Sequence, residues 1–318
     1  MDPATIALVL VAAVTHAVWN TASKWKRGDT VRFVWAYTVG STVLCLPVAL
    51  VHGAVTGGAV SPALLLGVVV SGVLHVAYSL TLQTGYDHAD LGVVYPVARG
   101  TGPVITTLVA VCVLGERLST IETVGVVLVV LGVVIVLGNP FRAAARSVEP
   151  WTNTGSPTPA GRGSAAVHGP ASSSRAPIRG VLWGATTGVT IAAYTLWDDH
   201  SVTALHLDPI GYFAGTLLVE TVVLAPRALR GGWRPVLDIV RANPIVVPLI
   251  AVLSPVAYVL VLIAMQTAPV AIVAPLRESS IVLGSLLGWW LFHERSLPRR
   301  LAGAVVVLAG IVAVGMSG

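Results

Sequence analysis

The sequence predicts an all-α integral membrane protein, ten transmembrane helices arranged as two inverted five-helix repeats. Three observations predict it. The 318-residue chain is 55% hydrophobic and only 10% charged, whereas a soluble domain carries about 25% charged residues. Its mean hydropathy is +0.84, and its apolar residues fall in runs of about 20, the length of a membrane-spanning helix. The second half of the chain also repeats the first. Continuous apolar runs exclude an outer-membrane barrel, whose strands alternate polar and apolar residues.

The ten spans cover 4–22, 31–51, 62–83, 91–114, 119–138, 178–198, 209–226, 244–265, 269–292 and 299–316. Span one lacks the basic leader and small-residue cleavage site of a signal peptide, so it reads as permanent. Span four carries Val94-Tyr-Pro-Val-Ala-Arg-Gly-Thr-Gly-Pro103, whose prolines and glycines weaken the backbone ladder and predict a helix broken at a binding site. Span nine carries Pro275-Leu-Arg-Glu-Ser-Ser280. Most connections are short. The exception is 140–177, whose Asn153-Thr-Gly-Ser-Pro-Thr-Pro and Ser172-Ser-Ser cannot bury a core and predict a disordered linker. It separates a first repeat, 1–139, from a second, 178–318.

Sliding 98–138 onto 276–316, an offset of 178, gives eleven identities. Six are valine or leucine matches that any apolar helix gives. The informative ones are Arg99 on Arg277, Glu116 on Glu294, Arg117 on Arg295, Gly125 on Gly303 and Gly132 on Gly310. Each repeat holds an odd number of spans, so the second inserts upside down, as in secondary transporters with a midplane site between repeats. Of the 19 Lys and Arg residues, 16 lie at the connections after spans one, five, seven and nine. That bias predicts a cytoplasmic linker and both termini outside. The net charge of +5 therefore reflects topology, not nucleic-acid binding.

Charges inside spans are expensive and default to function. Arg99 and Arg277, brought together, make an anion centre, because guanidinium forks match carboxylate and phosphate. Glu220 and Glu278 are the carboxylates that would neutralise them. Either of these two can also carry a coupling proton. Glu220 shares a helical stripe with Tyr212 and Thr216. His16, Trp19, Asn20 and Ser23 share one face of span one; Thr187, Thr190, Tyr194 and Trp197 share one of span six. Such stripes can line a solute cavity, although Trp19, Trp197 and Lys24 also suit an interfacial belt. A weaker set joins His75, Tyr78 and Gln83 to Ser254 and Tyr258, and His75 alone reads as a hydrogen-bonded core residue. Asp198-Asp-His200, with His206 and Asp208, reads as a solvated acidic loop rather than a metal site. Gly184-xxx-Gly188 and Gly284-xxx-Gly288 permit close helix packing. No metal, nucleotide or hydrolytic motif occurs, so neither catalysis nor a cofactor is expected.

His16-Ala-Val-Trp-Asn20, Asp90-Leu-Gly-Val-Val-Tyr-Pro-Val-Ala-Arg-Gly100, Leu114-Gly-Glu-Arg-Leu118, Tyr194-Thr-Leu-Trp-Asp198, Leu276-Arg-Glu-Ser-Ser280 and His293-Glu-Arg295 together resemble the EamA-like, ten-helix branch of the drug/metabolite transporter superfamily. The resemblance covers both repeats. It implies a central cavity, alternating access and export of small metabolites across a bacterial plasma membrane. Two departures stand out: His293 replaces the Gly that precedes Glu116 in the first half, and the linker is longer than the family's usual connection.

The expected function is secondary transport of a small polar or anionic metabolite, with protons as a possible coupling ion. Arg99, Arg277 and Glu278 form the charge centre, and Tyr95, Trp19, Asn20, Tyr194 and Tyr258 shape the pocket. The alternatives are an enzyme on lipid-linked substrates using Asp198, Asp199 and His200, and a neutral-solute or drug exporter, or scaffold, with purely structural Arg/Glu pairs.

Overall fold

The computed structural model describes residues 2–89, 91–137, 176–283 and 297–316. Among the described residues the chain is helical throughout, with no strand. The first half gives α1 (Pro3–Ala22), α2 (Thr30–Thr56), α3 (Pro62–His88), α4 (Leu91–Cys112) and α5 (Thr120–Leu137). The second gives α6 (Ala176–Thr203), α7 (Pro209–Ala228), α8 (Arg234–Ala242), α9 (Val246–Met265), α10 (Val270–Arg277) and α11 (Leu297–Gly315). Almost all of the linker 140–177, together with Gly284, Gly288, His293, Glu294 and Arg295, lies outside the described residues.

Local chemistry sets the helix starts. Proline occupies the first turn of α1, α3 and α7, where its missing N–H is no loss. The Asp29, Ser61 and Asp208 side chains accept from the N–H groups of Arg32, Leu64 and Gly211 at 2.9, 3.1 and 2.7 Å, satisfying otherwise orphaned donors. Gly57 closes α2 with φ 75°, the left-handed conformation that glycine takes without a Cβ clash.

Five helices, within α1, α2, α3, α7 and α9, are long and apolar enough to cross a bilayer by length and composition. Their outward faces carry large apolar side chains: Val51 and Val55 on α2 are 65% and 81% exposed. The polar groups Asp198, Arg277 and Glu278 are instead buried. Apolar outside and charged inside is the pattern of a protein whose solvent is lipid.

Glycines set the two closest helix contacts. On α5 and α11, a Cβ at Gly125 would stand 2.9 Å from the Gly310 carbonyl oxygen, and one at Gly132 2.8 Å from that of Gly303. The pairing runs in opposite directions along the two helices, so they are antiparallel. On α4 and α6, Gly184 meets Val97 and Gly188 meets Thr101, so these two are parallel. Glu116, in the turn after α4, accepts from the Val270 and Ala271 N–H groups at 3.0 Å each, a carboxylate cap on α10 that ties the halves together.

Four expectations are corrected. α4 is continuous through Arg99: Gly102 serves packing against Ile191, and Gly100 faces open space. The break falls in the second half, where α10 ends at Arg277 and Glu278 is its C-cap. Span six does not stop at 198; α6 continues to Thr203 with Asp198 and Asp199 buried within it. The short amphipathic α8, absent from the ten spans, buries Val236 and Ile239 before α9.

Candidate functional site

Two buried polar clusters sit side by side in the helical bundle. The first joins the halves through Glu278 at the α10 break. Arg99 Nη1 on α4 lies 3.3 Å from Glu278 Oε2 and 3.5 Å from Oε1, and Arg277 Nη2 lies 3.3 Å from Oε1. Both expected arginines therefore meet on one carboxylate, leaving one net positive charge. Arg99 Nη2 also approaches His16 Nε2 at 3.3 Å. Guanidinium only donates, so His16 accepts there and carries its proton on Nδ1. Arg99 stands 5.7 Å over the Tyr95 ring, a cation–π contact. A small niche of about 10 Å³ lies beside the cluster, lined by Arg99, Gly100, Val129, Val133, Pro275 and Glu278.

The second cluster centres on Asp198 of α6, which is 0% exposed. Its Oδ1 accepts from Ser71 Oγ and Tyr212 OH, both at 2.6 Å. Its Oδ2 accepts from Tyr258 OH and from His75 Nε2, the latter at 3.0 Å. The far ring nitrogen, His75 Nδ1, lies 3.7 Å from Glu220 Oε1 on α7. Asp198 is thus no solvated loop residue; four donors from α3, α7 and α9 replace its water, which makes burial of the charge tolerable. Glu220, expected as a counter-ion for an arginine, instead faces His75.

Tyr194 on α6 joins the clusters. Its ring lies 4.2 Å from His75, 5.5 Å from Tyr78 and 6.3 Å from Tyr258. Trp19 packs edge-on against His16 at 4.7 Å, with Asn20 next along α1. The offset of 178 places His16, Trp19 and Asn20 opposite Tyr194, Trp197 and Asp198, so one turn of α1 and one of α6 supply corresponding parts of the site. Trp197 Nε1 donates to the Gly67 carbonyl at 3.0 Å, which ties α6 to α3. Among the described residues, three buried side-chain polar atoms lack a protein partner: Trp19 Nε1, Thr195 Oγ1 and Ser279 Oγ. Each adjoins a site residue, and buried polar atoms are rarely left unpaired.

Of the expected site residues, Arg99, Arg277, Glu278, Tyr95, Tyr194, Tyr258 and Glu220 fall in these two clusters, with Trp19 and Asn20 at their edge. Sequence reasoning placed Tyr212 only on the Glu220 stripe and Asp198 only in an acidic loop or the alternative enzyme site, and it missed Ser71. The signal was available in the same offset, since Asp198 falls on Asn20, a residue already placed in the pocket.

The chain belongs to the EamA-like transporter family, whose model matches residues 3–138 and again 178–316. Over 59 residues it is 37% identical to a probable 4-amino-4-deoxy-L-arabinose-phosphoundecaprenol flippase subunit, ArnE, of Salmonella paratyphi A, and equally to that of Salmonella typhi. Each match covers 19% of this chain and 53% of the relative, so the chain spans about half the length of the curated relatives it matches. A solved crystal structure superposes with a TM-score of 0.72 at 16% identity, covering 100% of this chain and 98% of its own. That likeness is one of fold.

The chain is therefore a multi-pass membrane protein of a transporter family. The alternative of catalysis at Asp198, Asp199 and His200 is set aside by this family membership and by the sealed position of Asp198.

Proposed function

We propose that the chain moves a small polar or anionic metabolite by alternating access, with Arg99 and Arg277 as the charge centre. One observation carries the reading: two arginines, one from each half, share the single carboxylate of Glu278. The surplus positive charge favours an anionic group beside Arg99, where guanidinium gives bidentate recognition. Tyr95, Trp19, Asn20, Tyr194 and Tyr258 shape the rest of the pocket.

Ten spans as inverted repeats form the frame of this proposal. Gly125 against Gly310 and Gly132 against Gly303 support it, because the offset of 178 turns each pair into the other, as a two-fold axis requires. Export across a bacterial plasma membrane, with the linker cytoplasmic, completes the reading. A lipid-linked solute is the second reading. The valine-lined side of the niche at Arg99 favours it, and the relative named for a phosphoundecaprenol-linked sugar is in keeping with it.

The test is a thermal-shift screen of the purified protein against anionic, zwitterionic and neutral metabolites, with Arg99→Ala and Arg277→Ala alongside. A ligand at 100 times its dissociation constant stabilises by about 2.7 kcal/mol. Anionic ligands are expected to shift the parent and neither variant. Neutral or cationic ligands shifting all three alike would make the arginines internal counter-ions only.

A further inference from the structure

The geometry points to His75 Nδ1 and Glu220 Oε1 as a single-proton site, held ready by Asp198, whose proton is the ion this transporter exchanges with its cavity. The inference rests on the transport reading for its role and on geometry alone for its existence.

Asp198 holds the pair in place. Each of its oxygens receives two bonds, from Ser71 and Tyr212 on one side and from Tyr258 and His75 on the other. Taken as the carboxylate, Asp198 accepts at all of these positions, and His75 Nε2 is then the donor. That fixes the tautomer, in the way a carboxylate orients a histidine at a metal or catalytic site. The neutral ring then presents the bare lone pair of Nδ1, and the group it faces is Glu220, 3.7 Å away.

One proton taken from water can sit on either of these two atoms, which at 3.7 Å are in ion-pair range but beyond a direct hydrogen bond. On Nδ1 it makes an imidazolium flanked by two carboxylates; on Oε1 it makes a neutral acid beside a neutral ring. Release returns the same proton to water and leaves Glu220 charged beside neutral His75. The groups around the pair are Asp198 and Tyr194 on α6, Tyr212 on α7, Tyr258 on α9, Tyr78 on α3, and the charge of Arg277 on α10. Tyr37 on α2 lies within the field of Glu220. Five of these are tyrosines, whereas His75 and Glu220 face each other directly.

Access separates the members. Asp198 is sealed, while the His75 and Glu220 side chains keep 13% and 12% exposure. Glu278, the other expected proton carrier, has two guanidiniums against its oxygens, so a proton there would have to displace an ion pair. The His75 ring also lies tilted against that of Tyr194, centroids 4.2 Å apart. A change of charge on the ring is thereby felt in the solute pocket.

The experiment is ¹⁵N NMR of histidine-labelled protein in detergent between pH 5 and 9, with the His75 signals assigned by their loss in His75→Gln. At alkaline pH the parent is expected to carry its proton on Nε2, with Nδ1 bare and titrating on acidification. Glu220→Gln should lower the proton affinity of Nδ1 about tenfold, because it removes a carboxylate charge at close range. A proton on Nδ1 at alkaline pH, or a titration unmoved by Glu220→Gln, would overturn the site. The tautomer is read in the parent and needs neither a variant nor transport. Its failure therefore leaves the Arg99 reading standing, and failure of anion binding at Arg99 leaves this site standing. In vesicles, the ratio of solute release with and without a pH gradient should fall to one in Glu220→Gln. A ratio equal to the parent's would show that this proton is not the coupled one.

Discussion

Asp198 and Arg99 pose the same problem at the scale of the residue, a charge buried in a largely apolar helix, and they solve it differently. Asp198 gathers four donors and no permanent cation. Arg99 takes half of a shared carboxylate, a neutral histidine and an aromatic face. Breaking one bond of such a network should cost less than changing its centre. Tyr212→Phe removes one donor of four and should lower stability by about 1.5 to 3 kcal/mol, the range for bonds to a charged group. Asp198→Asn puts an amide N–H₂ against donors and should cost more than Tyr212→Phe. Thermal unfolding in detergent checks the order, and an Asp198→Asn protein as stable as the parent would contradict the hub. The sequence showed that Asp198 was charged. It could not show that Ser71, Tyr212 and Tyr258, 60 or more positions away in two cases, would arrive to solvate it.

Glycine decides the contacts at the scale of the element. Gly132 on α5 lies where a Cβ would come within 2.8 Å of the Gly303 carbonyl and 2.7 Å of the Val307 amide nitrogen, both backbone atoms that cannot turn aside. Gly132→Ala should force α5 and α11 apart and destabilise by about 1 to 3 kcal/mol. Gly100→Ala meets nothing within 4 Å and should be neutral or slightly stabilising, since alanine is the better helix former by about 1 kcal/mol. Equal melting temperatures for the two variants would count against the packing described. The element pattern was largely legible, because long apolar runs can be little else than buried or lipid-facing helices. Two features were not. α4 survives its glycines and Pro103 because α6 packs into the space they leave, which is a tertiary fact. α8 is only nine residues long, too short for a hydropathy window built for spans.

Seen whole, the molecule places its two polar clusters in the same bundle, one with surplus positive charge and one built of carboxylates around a histidine. Conjugate features run through it: His16 and Tyr194, Asn20 and Asp198, Arg99 and Arg277 all obey one offset of 178, yet the two halves are chemically unlike where they meet. In the proposed reading a symmetric frame rocks about its axis, while an asymmetric lining gives the pocket a direction in which a solute must lie. The repeat is what supports that frame. The lining was only half readable: both arginines and Glu278 announced themselves as charges out of place, whereas the pairing of Glu220 with His75, rather than with an arginine, depends on how α3 and α7 are turned.

The most direct test of the central claim is solute release from proteoliposomes. Vesicles holding the purified chain are loaded with a defined mixture of phosphorylated, carboxylated, zwitterionic and neutral metabolites, and efflux is followed by mass spectrometry beside protein-free and Arg99→Ala vesicles. Faster loss of one or more anionic members from the parent vesicles alone is the predicted result. Release of the same members at the same rate from Arg99→Ala vesicles would contradict the account, as would release confined to neutral solutes.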